Sequence, residues 1–153
     1  MKTRRRKPVK IRLDGDPILT TVCHCVEENE DIGQIVWALR QVIKRDSNCV
    51  GVSANQIGYD KRIIAYRPNI GLPEIAIMVN PIITNVTDDE DTFKEGCLSH
   101  PGRQKEISRP TGIVLDYEDI SGKLHNGVEF NGFEARIIQH EIDHLNGKCG
   151  VAL

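Results

Sequence analysis

The segment from Gly132 to Gly147 constrains the fold of this 153-residue chain more than any other part of the sequence. One helical face of the segment is apolar: Ala135, Ile138, Ile142 and Leu145. The opposite face combines one apolar residue with polar ones: Ile137, His140, Glu141 and His144. Apolar residues on both sides predict a helix embedded within sheet, and Gly147 is a typical C-terminal stop. Buried histidines and a buried glutamate need partners, and a bound metal ion would supply them.

The polar face contains an H-E-x-x-H sequence, His140-Glu-Ile-Asp-His144. Residues four positions apart lie on the same side of a helix, so both imidazoles can reach one ion. Glu141 lies one position along, where it can contact a metal-bound water without ligating the metal. The alternative is a pair of solvated or hydrogen-bonded histidines, and chance alone gives the pattern with a probability on the order of one in a hundred.

A third metal ligand is not obvious downstream of the helix. One class of zinc peptidases extends the pattern to H-E-x-x-H-x-x-G-x-x-H. Here the match ends at Gly147, because position 150 is glycine. Among the nine residues after His144, Cys149 is the sole candidate. It follows the helix-ending glycine, and we expect it to point back toward the helix with difficulty.

An upstream ligand is therefore favoured, and Glu95-Gly-Cys-Leu-Ser99 offers one. The Cys97 thiolate, with glycine beside it, would complete a set of one cysteine and two histidines, His140 and His144. Such a set leaves the fourth position open to water, which is typical of catalytic zinc sites and not of structural ones. Taken alone, Cys97 could equally be a small buried apolar residue.

The rest of the sequence predicts one further helix and several strands. Apolar residues recur at helical spacing from Asn29 to about Arg45, with Asn29 as the expected N-cap. Turns are expected at 14–17 and at Ser121-Gly122. Strands are predicted at 9–13, 62–67, 75–80, 82–86, 111–119 and 123–130. This order predicts an α+β fold, in which antiparallel sheets surround the buried C-terminal helix and an N-terminal amphipathic helix packs on the core.

Composition and charge predict one soluble domain at 11–153, after a basic, flexible segment at 1–10. Apolar and charged fractions of 39% and 27% are ordinary for globular proteins. No apolar run approaches the ~18 residues of a membrane span. Six of the 20 lysines and arginines lie within 1–10, which contains no acidic residue. The alternative for this segment is contact with an anionic surface such as RNA or the ribosome.

The cysteines indicate a reducing, cytoplasmic location. Their number is odd and their spacing irregular, which does not suit a disulfide framework. The Cys23-His24-Cys25 cluster is interpreted as ordinary residues, because a structural metal site requires four ligands and no second pair is present. No apolar stretch typical of a secretory signal follows the basic N-terminus.

Three separated blocks resemble the peptide deformylase family. They are Gly51-Val-Ser-Ala-Asn-Gln56-Ile-Gly58, Glu95-Gly-Cys-Leu-Ser99 and Gln139-His-Glu-Ile-Asp-His144-Leu-Asn-Gly147. Shorter matches support them: Asp16-Pro17, Asn80-Pro81, Arg109-Pro110 and Ala135-Arg136. The resemblance covers 11–150 in the family's order. The sequence ends six residues after Gly147, so we expect a compact, C-terminally short member similar to those encoded by bacteriophages.

The resemblance implies both a reaction and the residues that perform it. The expected reaction is metal-dependent removal of the N-formyl group from N-formylmethionyl nascent peptides, with release of formate. The implied metal ligands are Cys97, His140 and His144. Glu141 is implied as general base and then as acid toward the leaving amine. The Gln56 side chain and the Leu98 backbone N–H are implied to stabilise the oxyanion.

The substrate pocket is predicted less sharply. In the family, the backbone at Gly51 pairs with the substrate as an added strand. Four apolar residues are candidates for the methionine pocket, and for each an ordinary core position is an equal alternative: Val50, Leu98, Phe133 and Ile137. Three positions depart from the family pattern around the pocket mouth: Cys49, Ser53 and His100. Arg109 is expected to pair with Asp143 in support of the site.

The expected cofactor is one divalent metal per chain, natively ferrous iron, with zinc or nickel as substitutes in preparations. The expected state is a cytoplasmic monomer in a bacterial or phage-infected cell, without membrane or sequence-specific nucleic-acid partners. Two other functions stay open. One is a different H-E-x-x-H metallohydrolase such as a peptidase, and the other is a non-catalytic, zinc-stabilised binding module.

Overall fold

The computed structural model of this protein describes residues 7–152. It has the predicted α+β class, with all strands antiparallel in two sheets. The helices are α1 (Gly33–Arg45) and α2 (Gly132–Leu145). The strands are β1 (Gly51–Ser53), β2 (Ile63–Tyr66), β3 (Ala76–Val86), β4 (Glu90–Gly96), β5 (Gln104–Pro110), β6 (Gly112–Glu118) and β7 (Leu124–Asn131). Most of the basic segment at 1–10 lies outside the described residues.

The larger sheet has the order β1-β2-β3-β6-β7 and carries one helix on each face. The four residues of β2 are all buried, and they alternate between two apolar clusters. Ile63 and Ala65 pack with α1, whereas Ile64 and Tyr66 pack with α2. Alternate side chains of a strand point to opposite faces, so a strand covered on both sides reads as a continuous apolar run.

Helix α1 has the predicted apolar stripe but begins later than expected. It starts at Gly33, whose backbone N–H donates to the Asp31 side chain at 2.9 Å. The prediction of Asn29 as N-cap was therefore wrong. Asn29 adopts a left-handed conformation with φ 61° in a preceding turn, in which the N–H of Glu30 donates to the carbonyl of Glu27.

The predicted strand at 9–13 was also wrong, although the turn after it is present. The N–H of Arg12 donates to the carbonyl of Gln56, and the N–H of Asp14 donates to the carbonyl of Ser99. These acceptors belong to a short 3-10 helix (Ala54–Ile57) and to a separate turn, so no ladder forms. Asp16 then caps the short 3-10 helix that follows, because its carboxylate accepts from the N–H of Ile18.

Two predicted strands, at 75–80 and 82–86, form one strand, β3. Its pairing with β6 shifts register between Val79 and Ile82, where Asn80 has φ 50°. Pro81 lies within this irregularity, which suits a residue without a backbone donor. The predicted hairpin between β6 and β7 is confirmed, with Gly122 at φ 85° in its turn.

The smaller sheet, formed by β4 and β5, was not predicted. Most of its side chains are exposed, and its strands lack the apolar alternation that identifies β6. Side chains of both strands hydrogen-bond to α2, which therefore lies between the two sheets as the apolar residues on both its sides predicted. Within residues 7–152, no helix is both long and apolar enough to cross a membrane.

Candidate metal centre

The predicted cysteine and histidines lie together where the end of β4 approaches α2. The Nε2 atoms of His140 and His144 are 3.2 Å apart, and the Cys97 sulfur is 3.2 Å from Nε2 of His144. His140 and His144 are one helical turn apart, while Cys97 comes directly after β4. The unpredicted small sheet therefore delivers the third member of this group.

A fourth residue, Cys149, belongs to the same cluster. One ligand atom from each of Cys97, His140, His144 and Cys149 lies within 4.8 Å of the other three. The expectation that Cys149 would point back only with difficulty was wrong. Gly147 has φ 72°, and the N–H of Lys148 donates to the carbonyl of Asp143 at 2.9 Å, so the chain reverses toward the helix. The available sequence signal was the glycine after the helix, because glycine readily adopts the left-handed conformation that reverses the chain.

The donor set fits a divalent metal ion. Bonds of about 2.3 Å to sulfur and about 2.0–2.1 Å to nitrogen separate neighbouring ligands of a tetrahedral ion by about 3.3–3.8 Å. The two distances of 3.2 Å within the cluster are close to this range. Imidazole and thiolate ligands suit zinc and ferrous iron in particular.

Glu95 orients His140 and is the centre of a buried ionic network that sequence reasoning missed. Its carboxylate accepts from Nδ1 of His140 at 2.8 Å, which leaves Nε2 directed at the cluster. It also accepts two hydrogen bonds from Arg109, at 2.7 and 2.9 Å, and one from Arg136. The predicted pairing of Arg109 with Asp143 is confirmed at 2.8 Å.

Burial sets the protonation of the residues around the cluster. It lowers the pKa of His144 to about 3, which favours the neutral imidazole that a metal requires. Burial also raises the pKa of Glu141 to about 7, and its Oε2 atom has no hydrogen-bond partner. For Glu95 the effect of burial is outweighed by hydrogen bonds from His140 and Arg109, which lower its pKa to about 2.

The Cys97 and Cys149 thiols lie close enough to influence each other's ionisation. Contact with Cys97 lowers the pKa of the Cys149 thiol, and the same contact, together with burial, raises the pKa of Cys97. One of the two sulfurs therefore ionises more easily than an isolated cysteine. A cation between them would favour ionisation of both.

Gln56 is buried beside the cluster. Its side-chain amide donates to the Cys97 sulfur at 3.4 Å and to the Ser99 hydroxyl at 3.1 Å. Its carbonyl oxygen accepts from the backbone N–H of Ser53 at 3.0 Å and from the Ser53 hydroxyl at 3.1 Å. Ser53 thus fixes the orientation of the Gln56 amide.

A cleft of about 930 Å³ opens onto the cluster and contains every predicted pocket residue. Ile137 is buried at its base, whereas Phe133 is 54% exposed. The other predicted residues that line it are Val50, Gly51, Leu98, Gln56 and Glu141, together with Cys49 and His100 from the departing positions.

Gly51 holds a position in this cleft where a side chain would not fit. A Cβ there would lie 3.0 Å from Cγ2 of Ile137 and 3.1 Å from Cγ of Glu141. Gly51 also begins β1, which lies at the edge of the larger sheet and, among residues 7–152, pairs only with β2. An extended ligand could therefore approach this edge closely.

Comparison with known proteins shows similarity over nearly the whole chain. The profile of the family described as Polypeptide deformylase matches residues 8–151. A peptide deformylase of Prochlorococcus marinus (strain NATL1A) is 36% identical over 146 residues, covering 94% of this chain and 72% of the relative. The Met-Ala-Ser-bound class I type b peptide deformylase from Acinetobacter baumannii is 31% identical with a TM-score of 0.85, covering 94% of this chain and 96% of that one. The PDF of the Vibrio parahaemolyticus bacteriophage VP16T, solved with actinonin, is 33% identical with a TM-score of 0.82, covering 92% and 98%.

Proposed function

Because the chain belongs to the polypeptide deformylase family, whose members remove N-formyl groups in a metal-dependent reaction, we propose that Cys97, His140 and His144 hold its metal. The protein is an enzyme of this kind. One observation carries the assignment of the ligands: a sulfur and a ring nitrogen 47 positions apart in sequence lie 3.2 Å from each other, beside a second ring nitrogen. Ferrous iron is the proposed native ion, with zinc or nickel as substitutes, because the donors are imidazole and thiolate.

Glu141 is the proposed general base. A metal in this site would lower the pKa of its bound water toward ~7 and so supply a nucleophile at neutral pH. The Glu141 carboxylate accepts the proton of the attacking water and then returns it to the leaving amine. Two features support this role: Oε2 is buried without a partner, and burial raises the pKa of Glu141 to about 7, close to the value that suits both steps.

Gln56 and Leu98 are proposed to stabilise the developing oxyanion. The Gln56 amide is held by Ser53 with its N–H groups directed at the cluster, as the 3.4 Å contact with the Cys97 sulfur supports. Leu98 follows Cys97 and lines the cleft, which supports the same role for its backbone N–H. Fixed donors of this kind contribute about 3 kcal/mol each to stabilisation of the transition state.

The proposed substrates are N-formylmethionyl nascent peptides. The free edge of β1 at Gly51 supports binding of the peptide as an added strand, which reads backbone more than sequence. The methionine side chain would then lie among Val50, Leu98, Phe133 and Ile137, which line the cleft.

The remaining proposals concern the setting of the enzyme. We propose a cytoplasmic monomer, with residues 11–153 as one catalytic domain and the basic segment at 1–10 available for the ribosome surface. No membrane and no sequence-specific nucleic acid are proposed as partners. Family membership favours deformylation over the peptidase and non-catalytic alternatives.

Formate release from formyl-Met-Ala-Ser tests the proposed function directly. The protein is loaded anaerobically with ferrous iron, and its metal content is measured alongside activity. Glu141→Ala should keep the metal and lose about 100- to 10,000-fold in rate, whereas Cys97→Ala should lose the metal. Glu129→Ala, on the exposed side of β7, is the control and should match the wild type. Full activity of Glu141→Ala would reject the assigned base, and absence of formate release from the wild type would reject the substrate.

A further inference from the structure

The position of Cys149 supports an inference beyond the proposed function. This inference rests on the proposed metal site. The three proposed ligands already satisfy a catalytic metal with one open position. The structure nevertheless places a second thiol in the same cluster, within 4.8 Å of the other ligand atoms. A sulfur at that distance must either bind the ion or lie just outside its coordination shell.

The backbone around Cys149 holds its sulfur in place. At Gly147 the chain passes so close to the backbone of Thr20 that a Cβ would lie 2.8 Å from its carbonyl carbon and oxygen. After Cys149 a short 3-10 helix covers Gly150–Ala152, and the N–H of Ala152 donates to the carbonyl of Cys149. The position of the thiol is thus set by the chain on both sides of it.

Cys149 approaches the cluster from outside the substrate cleft. The cleft is lined by Cys97, His140 and Glu141, and Cys149 is not among the described residues that line it. A ligand on that far side would leave the cleft-facing side of the ion accessible to water, provided that the ion accepts five ligands.

We propose that the Cys149 thiolate is a fourth protein ligand of the metal, bound on the side away from the cleft. The resident ion then has two sulfur and two nitrogen ligands from the protein. The second thiolate tightens binding of zinc and ferrous iron, which accept sulfur ligands readily.

X-ray absorption spectroscopy of the zinc-loaded wild-type protein, under reducing conditions, tests the proposal without any substitution. Two sulfur scatterers at about 2.3 Å are expected, and a single sulfur scatterer would overturn the proposal. With cobalt in place of zinc, the thiolate charge-transfer absorption of Cys149→Ala should fall to roughly half that of the wild type, since one of two thiolates is lost.

Metal affinity gives a second measurement. In competition with a chelator, Cys149→Ala should bind zinc at least about 10-fold more weakly, the lower limit for loss of a supporting group. Cys149→Ser is a second variant in case alanine perturbs the turn, and Cys25→Ala, which removes an exposed cysteine outside the cluster, should match the wild type. If Cys149→Ala keeps wild-type affinity while Cys97→Ala loses the metal, this proposal alone fails. If both single variants and the Cys97→Ala/Cys149→Ala double variant keep wild-type affinity, the proposed site fails as well.

Discussion

The two sheets of this protein are held in place by different interactions. In β2 of the larger sheet all four side chains are buried and all contribute to apolar clusters. In β4 and β5 of the smaller sheet, the buried residues are Glu95 and Arg109, a charged pair. The larger sheet thus depends on the hydrophobic effect, whereas the smaller one is attached to α2 through ion pairs.

The two sheets therefore contribute differently to the stability of the fold and to the geometry of the site. Burial of apolar surface is strong but non-directional, so it stabilises the fold without fixing the orientation of a ligand. Charged hydrogen bonds are short and directional. The carboxylate of Glu95 both joins β4 to Arg136 of α2 and orients the ring of His140. We infer that the smaller sheet contributes mainly to the geometry of the metal centre.

Glu95→Ala should have the largest effect, because it affects both fold and site. It leaves Arg109 and Arg136 buried beside an empty position and His140 without its acceptor. We expect a loss of about 4 kcal/mol in the free energy of unfolding and a 10- to 100-fold loss of metal affinity. Chemical denaturation and chelator competition measure the two quantities.

Glu106→Ala is the control for this substitution. Glu106 lies on β5 opposite Lys94 and is exposed, so its removal should change the free energy of unfolding by less than about 0.5 kcal/mol. An equally small effect of Glu95→Ala would contradict the distinction between the two sheets.

Leu115→Ala should destabilise the protein nearly as much without the specific loss of metal affinity. Leu115 is fully buried in β6, within the apolar cluster that includes Ile138 of α2. Truncation of such a side chain costs about 3 kcal/mol, since it removes apolar contacts and leaves a cavity. Metal affinity, measured well below the unfolding transition, should stay within about 3-fold of the wild type, since Leu115 belongs neither to the metal cluster nor to the network around Glu95. A loss of metal affinity comparable to that of Glu95→Ala would show that the larger sheet also sets the geometry of the metal centre.

The same contrast explains which elements could be predicted from the sequence. Strands β2, β3, β6 and β7 carry apolar patterns, and the predicted ranges differ from the observed ones mainly at their ends. The patterns of β4 and β5 are polar, with Phe93 exposed, so nothing in them indicates pairing. A buried charge pair such as Glu95 and Arg109 looks like two surface residues until the fold brings them together.

The candidate site shows the same division. His140, Glu141 and His144 lie on one helical face, and their proximity follows from the helical repeat alone. The position of Cys97 near them was predicted from the lack of an obvious downstream ligand and from the family pattern, not from local geometry. Cys149 was missed because Gly147 was interpreted as the end of a helix and not as a reversal of the chain. Interactions that depend on tertiary contacts leave no periodic signal in the sequence.

Asp143→Asn should have a smaller effect than either substitution above. Asp143 accepts from Arg109 at 2.8 Å, but its side chain is 38% exposed. Solvent screens this pair, so we expect a loss of about 1 kcal/mol in the free energy of unfolding. Metal affinity should change little, because Glu95 continues to orient His140. Denaturation in low and high salt measures the electrostatic contribution of this pair to the free energy of unfolding. That contribution should shrink as salt is added. A loss as large as that of Glu95→Ala would place Asp143 within the buried part of the network.

His125→Phe tests an ion pair of the larger sheet and should have the smallest effect. Asp119 accepts from His125 at 2.9 Å in the β6–β7 hairpin, where the two side chains are 32% and 31% exposed. That hydrogen bond, followed by one from Ser121, lowers the pKa of the Asp119 carboxyl. A depressed carboxyl pKa stabilises the fold above the ordinary value of 3.8, and the contribution is lost as pH falls through the lowered value.

Phenylalanine keeps a ring against Tyr117, whose ring lies 4.9 Å from that of His125, and removes only the hydrogen bond. We therefore expect the Asp119 pKa, measured by NMR titration of its carboxyl carbon, to rise toward 3.8. The melting temperature at neutral pH should change little, because solvent reaches both side chains and screens the pair. A large drop in melting temperature would mean that ion pairs in the two sheets contribute alike, and that burial of the charges is not what distinguishes the network around Glu95.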